Sequence, residues 1–239
     1  MGKIAFITDL HLLEKNVEKK GVNTVQNWKK VLEDVKAKGI KKVILGGDLG
    51  EKESLEMLFA DLQNFEFEYI LGNHDSIKNY RKFDARTEGK DELFFSSQIN
   101  GRDCIFLDTS SYKLNKEQQE FLQKWLETAI NPVIIIHHPV LDIGTWMDNE
   151  HPLKNRKEVE EIINEAGKKV TLICGHYHQD HEKSSELIRQ IIAPAVSYQI
   201  PFGKNYQKDA STFGYLILDF SENEVLSEKI MFNKSNEKS

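Results

Sequence analysis

Five short apolar runs in this chain end alike, in a cluster of small, acidic or imidazole side chains. Ile4-Ala5-Phe6-Ile7-Thr8 leads into Asp9 and His11, Val43-Ile44-Leu45 into Gly46-Gly47-Asp48, and Tyr69-Ile70-Leu71 into Gly72-Asn73-His74-Asp75. Later, Val133 to Ile136 leads into His137-His138-Pro139, and Val170 to Cys174 into Gly175-His176-Tyr177-His178. Short Val- and Ile-rich runs bounded by turn residues are strand signals. The pattern therefore predicts strands that deliver polar residues at their carboxyl ends.

Between the first three runs the apolar period changes to that of a helix. Asn23 to Lys38 carries Val25, Trp28, Val31, Leu32 and Val35 on one stripe and stops at Gly39, and a second helix is expected over Lys52 to Asn64. Strand–helix–strand alternation implies a parallel sheet. In such sheets ligands sit at the carboxyl ends of the strands, where Asp9, His11, Asp48 and Asn73 fall.

The middle of the chain reads differently. Glu92 to Ser97 and Arg102 to Asp108 flank Gln98-Ile99-Asn100-Gly101, whose Asn-Gly is a hairpin signal, so a second, partly antiparallel sheet is expected. Asn115 is placed to cap a helix reaching Thr128, with Phe121, Leu122, Trp125 and Leu126 on its stripe. From Val140 to Asn155 no period is visible, although Trp146 and Met147 lie within it; a long irregular segment of this kind is usually functional. A charge-rich helix over Arg156 to Ala166 precedes the last ligand-bearing strand. The runs near Leu187–Ile192, Ala195–Ile200, Phe213–Phe220 and Val225–Phe232 read as antiparallel strands, leaving 233–239 as a polar tail. One domain over 1–232 is expected.

Composition narrows the class. With Lys+Arg 32 against Asp+Glu 38 the formal charge is -6, which argues against generic nucleic-acid coating, since that depends on neutralising phosphates. The two cysteines, Cys104 and Cys174, lie inside apolar runs and suit buried thiols rather than a disulfide framework. No apolar run reaches membrane-spanning length. The reading is of a cytoplasmic protein without a membrane partner, monomeric or a small homo-oligomer.

The donor set decides the chemistry. Asp9, His11, Asp48, Asn73, His137, His176 and His178 combine oxygen and imidazole donors without a thiolate, a mixture suited to Mn, Fe, Zn or Co and unlike a structural zinc site. Seven side chains are too many for one catalytic ion and fit two ions sharing a carboxylate. Two divalent ions against the charges of Asp9 and Asp48 leave the site net positive, able to attract a phosphate ester to an acidic protein.

Taken in order, Asp9-Leu10-His11, Gly47-Asp48, Gly72-Asn73-His74-Asp75, His137-His138-Pro139 and Gly175-His176-Tyr177-His178 resemble the signature of the calcineurin-like metallophosphoesterases. The resemblance implies a four-layer α/β/β/α sandwich, two mixed sheets flanked by helices. It also implies that Asp9, His11 and His178 hold one ion, Asn73, His137 and His176 the other, and that Asp48 bridges them, iron and manganese being favoured. His74 would then touch the substrate phosphate or leaving oxygen, and a hydroxide between the ions would attack phosphorus.

Ser111-Tyr112-Lys113-Leu114-Asn115 and the segment after Pro139, with Gly144, Trp146-Met147-Asp148 and Leu153-Lys154-Asn155, are similar to the class III cyclic nucleotide phosphodiesterases and their glycerophosphodiesterase relatives. The stretch Leu49-Gly50-Glu51-Lys52-Glu53 is shorter than in those enzymes and lacks their usual acidic and small residues. The implied substrate is a small phosphate ester, a 3′,5′-cyclic nucleotide first, with a glycerophosphodiester or other mono- or diester, or a scaffold that has lost the chemistry, as alternatives. His138 suits either a substrate contact or loop hydrogen bonding, and Trp146 and Met147 either a nucleobase wall or a loop anchor. Asp75 is expected to orient the Gly72–Asp75 turn or His74, and His151 and His181 read as surface residues.

Overall fold

The computed structural model describes residues 2–220 and 224–234. In the first sheet β1 (Ile4–Ile7), β2 (Lys42–Leu45) and β3 (Glu66–Tyr69) pair in parallel. In the second, β4 (Phe95–Ile99) and β5 (Arg102–Leu107) form the expected hairpin, and β6 (Val133–Ile136) and β7 (Val170–Cys174) continue from β5 in parallel. Two further strands, β8 (His181–Ser184) and β9 (Ile188–Ile192), complete that sheet in the order β4-β5-β6-β7-β9-β8. The long pair β10 (Thr212–Phe220) and β11 (Val225–Asn233) returns to the first sheet, giving β11-β10-β1-β2-β3.

The alternation of side chains along each strand produces four layers. On β1, Ile4 and Phe6 face the seam between the sheets, where they meet Ile44, Phe106, Ile135, Ile173 and Leu218. Ala5 and Ile7 face the opposite way, onto α2 (Thr24–Ala37) and α3 (Leu55–Leu62) through Trp28, Val31, Val35 and Leu58. On β6 the same rule sends Val133 and Ile135 to the seam and Ile134 and Ile136 to α5 (Lys116–Thr128) and α7 (Arg156–Glu165), where Leu122, Leu126, Val159 and Ile163 wait. Burying one such side chain contributes about 1.5–3 kcal/mol, so each strand is held from both faces. Asn23 and Asn115 cap α2 and α5, each side-chain oxygen accepting a backbone N–H at 2.9 Å. Cys104 and Cys174 are buried free thiols.

Several expectations are corrected. The strand expected over Glu92–Ser97 starts only at Phe95, because the backbone N–H of Leu93 is taken by the Asp108 carboxylate at 2.7 Å. The helix expected from Lys52 begins with a tight turn over Lys52–Ser54 and becomes α3 only at Leu55. Ile188–Ile192 runs parallel to β7, with only β8 antiparallel to it. Ala195–Ile200 forms no strand, since Val196 and Ser197 donate to the carbonyls of Thr8 and Asp9, and Ile200 to that of His178. That segment is spent on lining the ligand-bearing loops. Three short helices, α1 (Lys15–Glu18), α4 (Ile77–Tyr80) and α6 (Trp146–Glu150), have no visible period in the sequence. The polar tail starts late, for Asn233 closes β11 and Lys234 donates to the Gly21 carbonyl; residues 235–239 lie outside the described residues.

All five ligand-bearing strands end at one edge of the sandwich, and the two sheets come closest at glycines. A side-chain carbon on Gly175 would strike Thr8 Oγ1 and lie 2.6 Å from Asp9 Oδ2. Gly175→Ala should therefore lower stability by about 1–3 kcal/mol through overpacking. Urea unfolding of the metal-free protein checks this: the midpoint should fall at unchanged slope, and a shift under about 0.5 kcal/mol would mean that the β1 loop yields easily.

Candidate active site

Five of the seven candidate ligands, Asp9 (φ 54°), His11 (47°), Asp48 (53°), His176 (66°) and His178 (52°), hold left-handed backbone conformations. Such conformations cost about 1–3 kcal/mol each in a non-glycine residue and persist only where neighbours over-determine them. Here the neighbours are backbone hydrogen bonds between adjacent strand ends. Asp9 N–H donates to the Gly47 carbonyl (3.0 Å), His11 N–H to Asp48 (2.9 Å) and Gly175 N–H to His137 (3.1 Å).

The carboxylates sit at the centre of this arrangement, both buried. Asp9 accepts the Thr8 hydroxyl (2.8 Å) and the backbone N–H of His176 (3.0 Å), and its other oxygen lies 3.3 Å from His178 Nε2. Asp48 Oδ1 accepts the backbone N–H of His74 at 2.9 Å. Asp48 Oδ2 lies between two rings, 3.3 Å from His137 Nε2 and 3.6 Å from His11 Nε2.

Each ring has one nitrogen committed to an oxygen that can only accept, which fixes its tautomer when neutral. His137 Nδ1 donates to the Gly46 carbonyl (2.7 Å), His178 Nδ1 to Tyr198 (2.9 Å), His176 Nε2 to His151 (2.9 Å) and His11 Nδ1 to Glu14 Oε1 (2.8 Å). The remaining nitrogens are acceptors. His11 Nε2 and His178 Nε2 thus present lone pairs to one another at 3.1 Å, a contact that requires a shared proton or a cation. Asn73 Oδ1 and His137 Nε2 are buried without a hydrogen-bond partner, as donors kept for a cation would be.

Among the described residues three groups of donor atoms are each gathered within 4.8 Å: Asp9, His11 and His178; Asp48, His137 and His176; and His11, Glu14 and His74. The first two, with the unpartnered Asn73 Oδ1 lining the same cleft and Asp48 Oδ2 between His137 and His11, fit two divalent ions.

The electrostatics follow from the same contacts. Burial alone would raise the Asp9 carboxyl, but the His178 and His137 imidazoles hold it at about 2, and Asp48 is held well below the usual carboxylate range by His137 and His11. Burial would lower His137, yet Asp48 and Asp9 lift it to about 9. Burial and the neighbouring His137 charge drop His176 to about 3. Glu14 outweighs its own burial by bonding His11 and His74, which brings it to about 2, and its bond raises His74 to about 9.

A cleft of about 260 Å³ opens over this floor, the size of a small-molecule site. His11, Asp48, Asn73, His74, His176 and His178 line it together with Trp146, Met147, His151, Tyr112, Tyr198 and Tyr206, of which Tyr198 packs on the His178 ring at 4.4 Å. The irregular segment after Pro139 is thus built as a wall. Its fold depends on buried Asp148, which accepts the Thr145 and Ile143 N–H groups, the Tyr177 hydroxyl at 2.9 Å and an Arg156 N–H at 3.2 Å. His74 is the polar group most open to solvent, its side chain 47% exposed.

Some expectations shift. His138 is not on the cleft wall: it is fully buried, its Nδ1 is 2.8 Å from Thr109 Oγ1, and its ring packs on His176 at 3.9 Å. His151, read as a surface residue, lines the cleft and stacks edge-on with Trp146, whereas His181 lies on the partly exposed strand β8. Asp75 orients its turn, accepting Gly72 N–H (2.9 Å), Leu49 N–H (3.1 Å) and the Tyr80 hydroxyl (2.7 Å); it does not reach the His74 ring. Glu14, Tyr112, Tyr198 and Tyr206 join the site without belonging to the donor pattern of the sequence. Only Glu14 carried a usable signal, a carboxylate three residues after His11; the tyrosines arrive from segments with no ligand pattern.

Comparison with known proteins adds the family. The chain is 28% identical over 240 residues to a probable cyclic nucleotide phosphodiesterase of Xenorhabdus bovienii, covering 92% of this chain and 96% of that one. It is 26% identical over 247 residues to the 3′,5′-cyclic adenosine monophosphate phosphodiesterase CpdA of Escherichia coli, covering 95% and 88%. A dimetal phosphatase from Danio rerio shares the fold at a TM-score of 0.75 and 11% identity, over 97% of this chain and 98% of that one. The profile of the Calcineurin-like phosphoesterases matches residues 2–180. With two buried carboxylates and four inward-turned imidazoles set to take divalent ions over a small-molecule cleft, this chain belongs to the calcineurin-like phosphoesterase family and is a hydrolase of phosphate esters.

Proposed function

We propose that this chain is a cytoplasmic phosphodiesterase that opens a 3′,5′-cyclic nucleotide such as cyclic AMP. The observation that carries this reading is that three aromatic residues, Trp146, Tyr112 and Tyr206, line one cleft with the donor cluster. Aromatic faces at that place suit a nucleobase, while the donor cluster suits the phosphate. The relatives bearing that activity in their names match over nearly the whole chain.

Two ions bound there, iron and manganese being favoured by the oxygen and imidazole donors, would place positive charge against the phosphoryl oxygens and acidify a water. Asp9, His11 and His178 would hold one, Asn73, His137 and His176 the other, and Asp48 both. The chain itself does the rest. The Asp48 carboxylate fixes the His74 backbone through its N–H. Glu14 holds the His74 Nδ1, so Nε2 is left to face the cleft and give a proton to the departing ribose oxygen. Trp146 is seated by its backbone N–H on the Gly203 carbonyl at 2.9 Å and packs against Tyr206, so the wall is tied to the 201–211 loop.

Removing the shared carboxylate should undo both ion sites together: Asp48→Ala, and nearly as strongly Asp48→Asn, should bind manganese weakly at both sites and lose at least about a hundredfold in turnover. Manganese titration of the metal-free variants decides it, and two ions retained at parental affinity would refute the bridge.

His74→Ala should keep its metals and lose about 10²–10⁴-fold in kcat on a cyclic nucleotide. The loss on bis-p-nitrophenyl phosphate should be smaller, since nitrophenolate departs without a proton. An emptied metal site in this variant would instead make His74 a ligand.

Trp146→Ala should cost about 1–3 kcal/mol of stacking, a tenfold to hundredfold fall in kcat/KM for cyclic AMP, with little change on bis-p-nitrophenyl phosphate. Equal losses on both would assign Trp146 to loop packing. If the parent protein turned over the aryl diester and no cyclic nucleotide, the substrate would be another phosphoester.

A further inference from the structure

We propose that Glu14 is a positioning residue that couples the two halves of the site, fixing the tautomer of His11 on the ligand side and the ring orientation of His74 on the substrate side. The inference rests on the phosphoesterase reading above for the roles of those two rings. Its basis is a shared carboxylate. Glu14 Oε1 lies 2.8 Å from His11 Nδ1, and Oε2 lies 3.2 Å from His74 Nδ1. The residue is 9% exposed, so water competes little for either oxygen.

The backbone leaves Glu14 few other places to be. It sits at the N-terminal boundary of α1, its own N–H donating to the His11 carbonyl at 3.2 Å. Its carbonyl accepts from Val17 (2.9 Å) and Glu18 (3.0 Å). The loop that carries His11 therefore closes on itself and swings the Glu14 side chain back over the ring. The His11 and His74 rings stand edge to face, centroids 4.7 Å apart and planes at 90°, so the carboxylate is the hydrogen-bonded link between them.

The neighbouring acids cannot substitute. Asp75 is occupied by Gly72, Leu49 and Tyr80, and Asp48 takes the His74 backbone N–H, not the ring. The short stretch after Asp48, Leu49-Gly50-Glu51, brings no carboxylate to His74 among the described contacts. Glu14 supplies from the β1 side what that stretch lacks.

Two ring N–H donors need two acceptor oxygens. A carboxylate has two and an amide has one, so Glu14→Gln keeps the shape and breaks one of the two bonds. With His11 Nδ1–H secured, His11 Nε2 is the lone pair turned to Asp48 and His178; with His74 Nδ1–H secured, His74 Nε2 is the nitrogen left for substrate. Loss of the first bond frees the His11 proton to move to the wrong nitrogen, and loss of the second frees the His74 ring to turn its Nε2–H away from substrate.

Three measurements test this. In metal-free protein, long-range ¹H–¹⁵N spectra should show an exchange-protected Nδ1–H on both His11 and His74 in the parent, and loss of that protected signal from at least one ring in Glu14→Gln. With manganese bound, Glu14→Gln should lower kcat for an ester with a poor leaving group about tenfold to hundredfold, the usual effect of a residue that orients a ligand, with KM little changed. In a His74→Ala background the same substitution should cost less than in the parent, because part of its effect passes through that ring. Glu14→Asp, which keeps two acceptors on a shorter arm, should retain both protected Nδ1–H signals and lose less. Unchanged Nδ1–H signals in Glu14→Gln, fully additive losses, or equal losses in the Gln and Asp variants would overturn the proposal. So would a third bound manganese that disappears in Glu14→Gln, which would make Glu14 a ligand. The spectra and a cycle run on aryl esters with a poor leaving group, such as a phenyl phosphodiester, read Glu14 even if the parent proves inactive on cyclic nucleotides, so the two readings fail separately.

Discussion

Two buried carboxylates, Asp9 and Asp48, constrain everything around them, because an ionised acid cannot stay in an apolar seam unless each oxygen is satisfied. Elsewhere the sheets meet through Phe6, Ile44, Phe106, Ile135 and Leu218, fully buried contacts without a directed bond. At the carboxyl edge they meet through directed bonds. Asp9 of the first sheet accepts the His176 backbone N–H of the second, and His137 of the second sheet donates its ring N–H to Gly46 of the first. The polar edge therefore adds directed cross-sheet bonds to a seam that is otherwise apolar.

The cost of that convergence is carried by the backbone. Left-handed residues at Asp9, His11, Asp48, His176 and His178 turn the chain sharply enough to aim a side chain back across each strand end. Glycines sit where another residue would collide: Gly47, with φ 95°, passes the His137 ring, and Gly72 passes the Asp48 carboxylate. Strain of this kind survives because the two apolar layers outside it, around Trp28 and around Leu122, are fully buried and hold the strands in place.

Burial also separates the two jobs of the site. The side chains that gather around the carboxylates are nearly all withdrawn from water, where charge attraction is strong. His74 stands at the boundary, half exposed above and held by Glu14 below, so a proton carrier meets solvent and substrate while its orientation is fixed from the interior. The aromatic wall is tied to the donor cluster as well as to its own loop. It hangs on the buried Asp148, which also takes the Tyr177 hydroxyl, and on the Trp146–Gly203 bond, while the carbonyls of His151 and Tyr198 hold the His176 and His178 rings.

The alternation of apolar runs with strand-end polar residues was enough to place the parallel strands, the helices capped by Asn23 and Asn115, and all seven donors at one edge, because each of those features is written in local spacing. The order of the motifs was enough to identify the family and hence the layers. What the local pattern could not express was anything set by partners distant in the chain. Ala195–Ile200 looks like a strand but spends its N–H groups on Thr8, Asp9 and His178. His138 looks as available as His137, yet packing behind His176 buries it, and His151 looks superficial yet carries the carbonyl that fixes the His176 ring. Glu14 shows the division most clearly: its three-residue spacing from His11 was visible in the sequence, but its second partner, His74, lies sixty residues on and was brought to it only by the pairing of β1, β2 and β3.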